Sequence, residues 1–303
     1  DPSALPESEV HSGMAELFLG RLHEARQRLE ALRPRDLRYF KGSYDVRYLA
    51  DTIVLVESVL SQVQWLMGFP DTAVRTANAA IARARPARHH LSLNNALSYA
   101  CPVFYWSGRY EECGRHVALL DEHVVRHGLV VRRPVAMFYG AAMACLQGDA
   151  SEGLDRLQRA IEEFRRLNLL ARMPYYLAGL AEFLTQHGRP KDADAASRAA
   201  VELAGAQHED WCRPEVLRIR ASVLASQGRA EEVELLLVES MALAERTGAL
   251  SWRLRAANDL ARLWRARSRA DDARAMLQPI FGEFREGFST RDLVTSAELL
   301  RSL

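Results

Sequence analysis

The chain has 303 residues, of which 49% are apolar and 26% charged, with 40 basic against 39 acidic side chains and a formal net charge of +1. That is the composition of a globular chain able to bury a large core, and its charge balance excludes wholesale electrostatic attraction to duplex nucleic acid. No apolar run reaches the roughly 18–20 residues of a membrane span and no charged-then-apolar leader is present, so no membrane partner is expected.

Four cysteines (Cys101, Cys113, Cys145, Cys212) are widely spaced with no CxxC pairing. They read as small apolar side chains in a reducing, cytoplasmic compartment. The chain starts at Asp1 without Met, as a processed product or an excised piece of something longer would.

Turn residues recur on a ruler of 40: Gly68, Gly108, Gly148, Gly188, Gly228 and Ser268. Gly20 precedes this series by 48, which places an insertion in the first interval, most simply in "RPRDLRYFKGS". Seven residues before each landmark stand Gly13, Ser61, Cys101, Ala141, Ala181, Ala221 and Ala261. Five residues after it stand Ala25, Ala73, Cys113, Gly153, Ala193, Val233 and Ala273. Small residues at both places let two helices approach closely.

Pro134, Pro174 and Pro214 sit where a first helical turn tolerates proline, and each landmark glycine suits the left-handed end of that helix. Each unit therefore predicts a helix A of about 14 residues, a turn and a helix B with helical apolar spacing, as in Leu154, Leu157 and Ile161. The pairs Glu111–Glu112 and Glu231–Glu232 open helices B, where negative charge is favoured. A unit of this kind cannot bury its apolar face alone, so the units must stack.

The expected fold is all-α: a right-handed superhelical solenoid of about seven tetratricopeptide-like repeats in one domain, 1–303. Residues 1–42 hold the first repeat and insertion, 43–288 the regular repeats, and 289–303 a capping helix opened by a Ser289/Asp292 capping pattern.

The small columns resemble the tetratricopeptide repeat, although 40 exceeds its usual period of about 34. A wider likeness rests on "QWLMGFPDTA", "HHLSLNNALSYACPVFYWSG", "GDASEGLDRLQRAIEEFR", "WCRPEVLRIRASVLASQG", "ALSWRLRAANDLARLWR" and "FGEFREGFSTRDL", in this order. These segments resemble the C-terminal helical-repeat region of bacterial winged-helix transcriptional regulators with a central predicted ATPase module. Related tails occur on class III adenylate and guanylate cyclases. The resemblance implies a sensing or interaction arm whose partner is its own N-terminal machinery. Neither a GxxxxGK[ST] phosphate loop nor a winged helix is found in this chain, so ATP or DNA activity would belong to other modules.

Transferring the groove-facing positions of tetratricopeptide helices A, with Pro214 as position one, puts Glu215, Arg218 and Ser222 on the concave face. Other units supply Asn95, Ser98, Pro102 and Tyr105; Val135, Phe138 and Ala142; Tyr175, Ala178 and Glu182; and Arg255, Asn258 and Arg262. Tyr99, Trp106 and Tyr139 border them. This predicts a groove aromatic in its middle and charged toward its C-terminal end, suited to an amphipathic peptide, a protein or a small anionic ligand. The competing reading is that these aromatics fill space between helices. Within "LSYACPVFYWSG", Pro102 lies inside helix A and should kink it, freeing the Ser98 carbonyl as an acceptor for a ligand.

His116, His123 and His127 fall within ~20° of one line on a helix B, a candidate metal stripe as well as an ordinary solvated face. His89 and His90 precede a helix A and read as turn or capping residues, while Trp211 and Trp252 read as loop anchors. Arginine clusters such as "ARLWRARSRADDARA" are interleaved with acids, which favours salt-bridged faces over direct nucleic-acid binding. No local nucleophile–base motif is found and no cofactor is implied, so the expected function is non-enzymatic. The alternatives are the arm of a transcriptional regulator and a free-standing adaptor binding another protein, including a second copy of itself as a dimer.

Overall fold

The computed structural model describes residues 5–32, 52–85 and 90–303. The proposed insertion at 33–43, His89 and residues 1–4 lie outside the described residues. Fifteen α-helices and no strands are found among those described.

In chain order they form seven hairpins: α1 (Leu5–Phe18) with α2 (Leu22–Leu32), α3 (Thr52–Leu66) with α4 (Pro70–Ala84), and α5 (His90–Trp106) with α6 (Tyr110–His127). Then come α7 (Arg133–Leu146) with α8 (Ala150–Arg166), α9 (Met173–Gln186) with α10 (Pro190–Gln207), and α11 (Arg213–Ser226) with α12 (Ala230–Thr247). Finally α13 (Leu250–Ala266) pairs with α14 (Ala270–Gly282), and α15 (Arg291–Ser302) closes the stack against both.

The ruler of turn residues has one local cause. Gly20, Gly68, Gly108, Gly148, Gly188 and Gly228 all take left-handed backbone, and so does Ser268, at φ 59°. After each landmark the next amide reaches back to the carbonyl five residues earlier, as in Arg109 to Phe104 (2.9 Å) and Arg269 to Trp264 (2.8 Å). This is the helix-ending motif that only a residue without Cβ enters cheaply. The small columns meet in the third and fourth hairpins: the Cys113 thiol donates to the Cys101 carbonyl (3.5 Å), and a Cβ on Gly153 would lie 3.3 Å from the Ala141 carbonyl and 2.5 Å from Cys145 Sγ.

The stack also closes on itself. Helix α3 touches α13, and Ser251 donates to the Trp65 carbonyl (2.5 Å) across 186 residues. Glu286 accepts from the Thr72 amide and hydroxyl (2.7 and 2.8 Å), so a residue of the last loop caps the start of α4. Asp71 accepts from the Gly287 amide (2.8 Å), and the Trp211 amide reaches the Phe18 carbonyl (3.4 Å). Gly68 allows this approach, since a Cβ there would meet Leu250 Cδ2 at 2.7 Å.

The capping pattern at the last helix differs from expectation. Thr290 is its N-cap and makes no side-chain cap bond, because its hydroxyl donates to the Gly287 carbonyl (2.7 Å). The Asp292 carboxylate is drawn to Arg255 instead (2.8 Å).

Candidate functional site

Closure brings aromatic side chains from five places into one cluster. Trp65 of α3 lies 4.9 Å from Trp106 of α5 and 4.8 Å from Trp252 of α13, ring centre to ring centre. Tyr175 of α9 and Trp211 extend the cluster, at 5.8 and 6.2 Å from Trp106. Three of the indoles have paired N–H groups: that of Trp106 donates to the Tyr175 hydroxyl (2.7 Å), that of Trp252 to the Trp211 carbonyl (3.0 Å) and that of Trp211 to Glu209 (2.9 Å). Burial with paired N–H groups makes this a packed plug.

A charge network covers one end of the plug. Arg255 lies over the rings of Trp65 and Trp252 (5.1 and 4.9 Å) and donates to Glu215, Asp292 and the Trp106 carbonyl. Arg218 grips Glu215 (2.7 Å), Glu182 (2.9 Å) and Asp259 (3.0 Å), each from a different repeat. Burial opposes ionisation of Glu215, but Arg218 and Arg255 outweigh it and hold its carboxyl below the usual range. Burial likewise acts to lower the Arg218 pKa, and Glu215, Glu182 and Asp259 reverse that and raise it.

Above this network lies a cavity of about 160 Å³. Tyr105, Trp106, Glu182, Arg218, Arg255, Asn258 and Arg262 line it, so seven of the expected groove residues do converge. Burial pushes the Tyr105 phenol pKa up, so it stays a neutral donor and acceptor there. Glu215 lies beneath, 3% exposed. The spacing rule missed Tyr110, Asp259, Arg291, Asp292 and Thr295, which also line the cavity. Asp259 had a signal, since it neighbours Asn258 on a groove-facing helix; Asp292 and Thr295 come from the closing helix, outside the repeat register.

Other expected groove residues are elsewhere. Phe138, Tyr139 and Tyr175 are buried, not aligned along an open surface, because neighbouring helices A pack on them. Phe138 meets Tyr176 at 4.8 Å, and a Cβ on Gly179 would touch its ring at 2.9 Å. Asn95, Ser98 and Tyr99 belong to the opposite end of the plug. There Asn95 accepts from Arg132 (3.0 Å), and Arg172 lies over Tyr99, Trp211 and Phe18 (5.4, 4.9 and 5.1 Å). Pro102 lies inside α5, and beside it the Ser98 hydroxyl donates to the Asn94 carbonyl (2.7 Å) while the Tyr99 carbonyl accepts from Gln62 (2.8 Å); Ser98 itself is buried. At this end Glu209 accepts from the Arg172 amide (2.8 Å), and burial raises its carboxyl pKa.

The histidine stripe is reorganised too. His116 stacks on Phe104 (4.6 Å) and its Nδ1 bonds the Glu112 carbonyl (2.8 Å), which removes it from His123 and His127. His90, the first residue of α5, takes its place beside them.

The fold has solved counterparts. Over 98% of this chain and 87% of the other, it matches a Rap protein complexed with competence and sporulation factor, at 13% identity and a TM-score of 0.68. A Rap conjugation gene regulator in complex with a Phr peptide matches over 97% of this chain and 74% of the other, at 11% identity and a TM-score of 0.67. NprR in complex with its cognate peptide NprX matches over 98% and 84%, at 12% identity and a TM-score of 0.62. The fold is a tetratricopeptide-like superhelix. No protein-family model matches the chain, and no curated protein matches its sequence.

The polar cavity at the end of the plug is the candidate site. The charged groups named there are balanced, four arginines (Arg218, Arg255, Arg262, Arg291) against Glu182, Glu215, Asp259 and Asp292. It favours an occupant with donors and acceptors of both kinds over a simple anion. No helix among the described residues is long and apolar enough to cross a membrane.

Proposed function

We propose that this chain is a non-enzymatic sensing and interaction arm that binds a peptide, or a segment of a partner protein, on its concave face. The observation that carries the reading is convergence: helices A of four repeats place Tyr105, Glu182, Arg218, Asn258, Asp259 and Arg262 around one cavity, which the closing helix completes. A peptide backbone offers the mixed donors and acceptors that such a lining can exchange for its internal ion pairs. The peptides held by the Rap conjugation gene regulator and by NprR support the same class of occupant.

The likeness of six ordered segments to regulator repeat arms makes the partner the ATPase and winged-helix modules of a transcriptional regulator. In this reading residues 1–303 work as one solenoid domain in the cytoplasm. Binding shifts an equilibrium between this closed superhelix and a more open one, by as much as the ligand prefers one state.

The test is selection of displayed random peptides on the wild-type chain, followed by binding to Glu182→Ala, Arg262→Ala and the outer-face control Arg115→Ala. Weakened binding in the first two, with the control unchanged, is the expected result. Equal binding to all three overturns the reading.

A further inference from the structure

The side chains of His90, His123 and His127 lie together at the open end of the α5–α6 hairpin, opposite its turn. One ring nitrogen from each falls within 4.8 Å of the others. His90 and His127 stack at 3.6 Å between ring centres, and His123 is 4.4 Å from His127 and 5.7 Å from His90. His123 is only 9% exposed, and its Nδ1 has no hydrogen-bond partner. A buried ring nitrogen without a partner forfeits its hydration, so its presence calls for a ligand.

We propose that His90, His123 and His127 bind one divalent transition-metal ion, with zinc the best fit to three neutral imidazoles. Three imidazole nitrogens with water in the fourth position make an ordinary tetrahedral zinc set, and no carboxylate of the triad is needed. Arg126, the cation beside them, is paired with Glu122 (2.5 Å). His123 and His127 stand in the last two turns of α6, where the helix dipole favours a cation. The stacked pair must part for both rings to aim at one ion, and exposed His90 at the helix start is free to turn. The bound ion clamps the start of α5 to the end of α6, a link the hairpin turn at Gly108 cannot provide.

The test uses the full chain purified without a histidine tag and stripped with a chelator. Zinc is titrated against a chromophoric competitor, and cobalt is added separately to read visible absorption. We expect one ion per chain, tetrahedral cobalt bands and a zinc-dependent rise in melting temperature. H90Q and H127Q should each weaken zinc by at least about tenfold, while H116Q and H187Q bind as wild type and circular dichroism is unchanged. Absence of saturable binding overturns the proposal. So does binding that survives both H90Q and H127Q, or that H116Q abolishes. His90 is exposed at a helix terminus, so H90Q reads the site even if a change at buried His123 disturbs folding.

Discussion

The Arg255 guanidinium donates to the main-chain carbonyl of Trp106 at 3.0 Å, across 149 residues of sequence. The same side chain bridges Glu215 and Asp292 and covers the indoles of Trp65 and Trp252, so it joins the second, third, sixth and seventh repeats and the closing helix in one contact set. Replacing it with alanine leaves two carboxylates short of a partner, one of them buried. Arg255→Ala should cost about 3–5 kcal/mol in urea unfolding, and lysine should restore little, because a point charge cannot reproduce the fork. Native-like stability in Arg255→Ala would falsify the closure role.

Glu215 gives the network an acid dependence. Its pKa is held below the ordinary value of 4.5, so the fold favours the ionised form. That contribution is complete above the unfolded value and disappears as pH falls through the lower folded one. Stability measured against pH should therefore decline below about 4.5, and Glu215→Gln should flatten this limb while lowering stability at neutral pH. An unchanged acid limb in the variant removes Glu215 as its source.

Ser268 holds the left-handed conformation that glycine holds at the other landmarks, and it is solvent-exposed. Left-handed backbone costs a non-glycine residue roughly 1–2 kcal/mol, while glycine adds about 0.4–1 kcal/mol of unfolded-chain entropy. Ser268→Gly should raise stability by about 0.5 kcal/mol, read as a higher urea midpoint. A lower midpoint contradicts the strain argument.

Two helical glycines should respond with opposite sign to the same change. Gly114 on α6 has open space where a Cβ would go, and Gly114→Ala should stabilise by about 0.5–1 kcal/mol through helix propensity. Gly153 on α8 faces Cys145, with its sulfur at 2.5 Å and its amide nitrogen at 3.0 Å from an added Cβ. Gly153→Ala should destabilise by about 1–3 kcal/mol despite better propensity. Thermal melts of the pair decide it; equal shifts mean the small columns do not mark close helix contact.

Repeat architecture was legible because its cause is local. A left-handed turn and a close helix crossing each restrict one residue, and both recur every 40 positions. The ionic half of the concave site was legible for the same reason: Glu215 and Arg255 share a column, and Arg218 is one turn further along. The aromatic half was not. Trp65 and Trp106 stand near the ends of helices A, whereas Trp211 and Trp252 stand near their starts. They meet only because the superhelix returns to itself, and its pitch sums small rotations that no single column encodes. His90 joining His123 and His127 was hidden likewise, since it is on the facing helix and His116 is captured by Phe104.

Closure also changes how the chain comes apart. An open repeat array unravels from its ends, because each unit touches only its neighbours. Here the Glu286 cap on α4 and the Ser251 bond to Trp65 tie the second repeat to the last one. Loss of the final loop would be felt at Thr72, so terminal fraying is coupled to the second repeat. Amide exchange across α3, α4 and α13 should then track a shared opening event, and the chain should fold more slowly than its helical content suggests, because contacts spanning 186 and 214 residues must form.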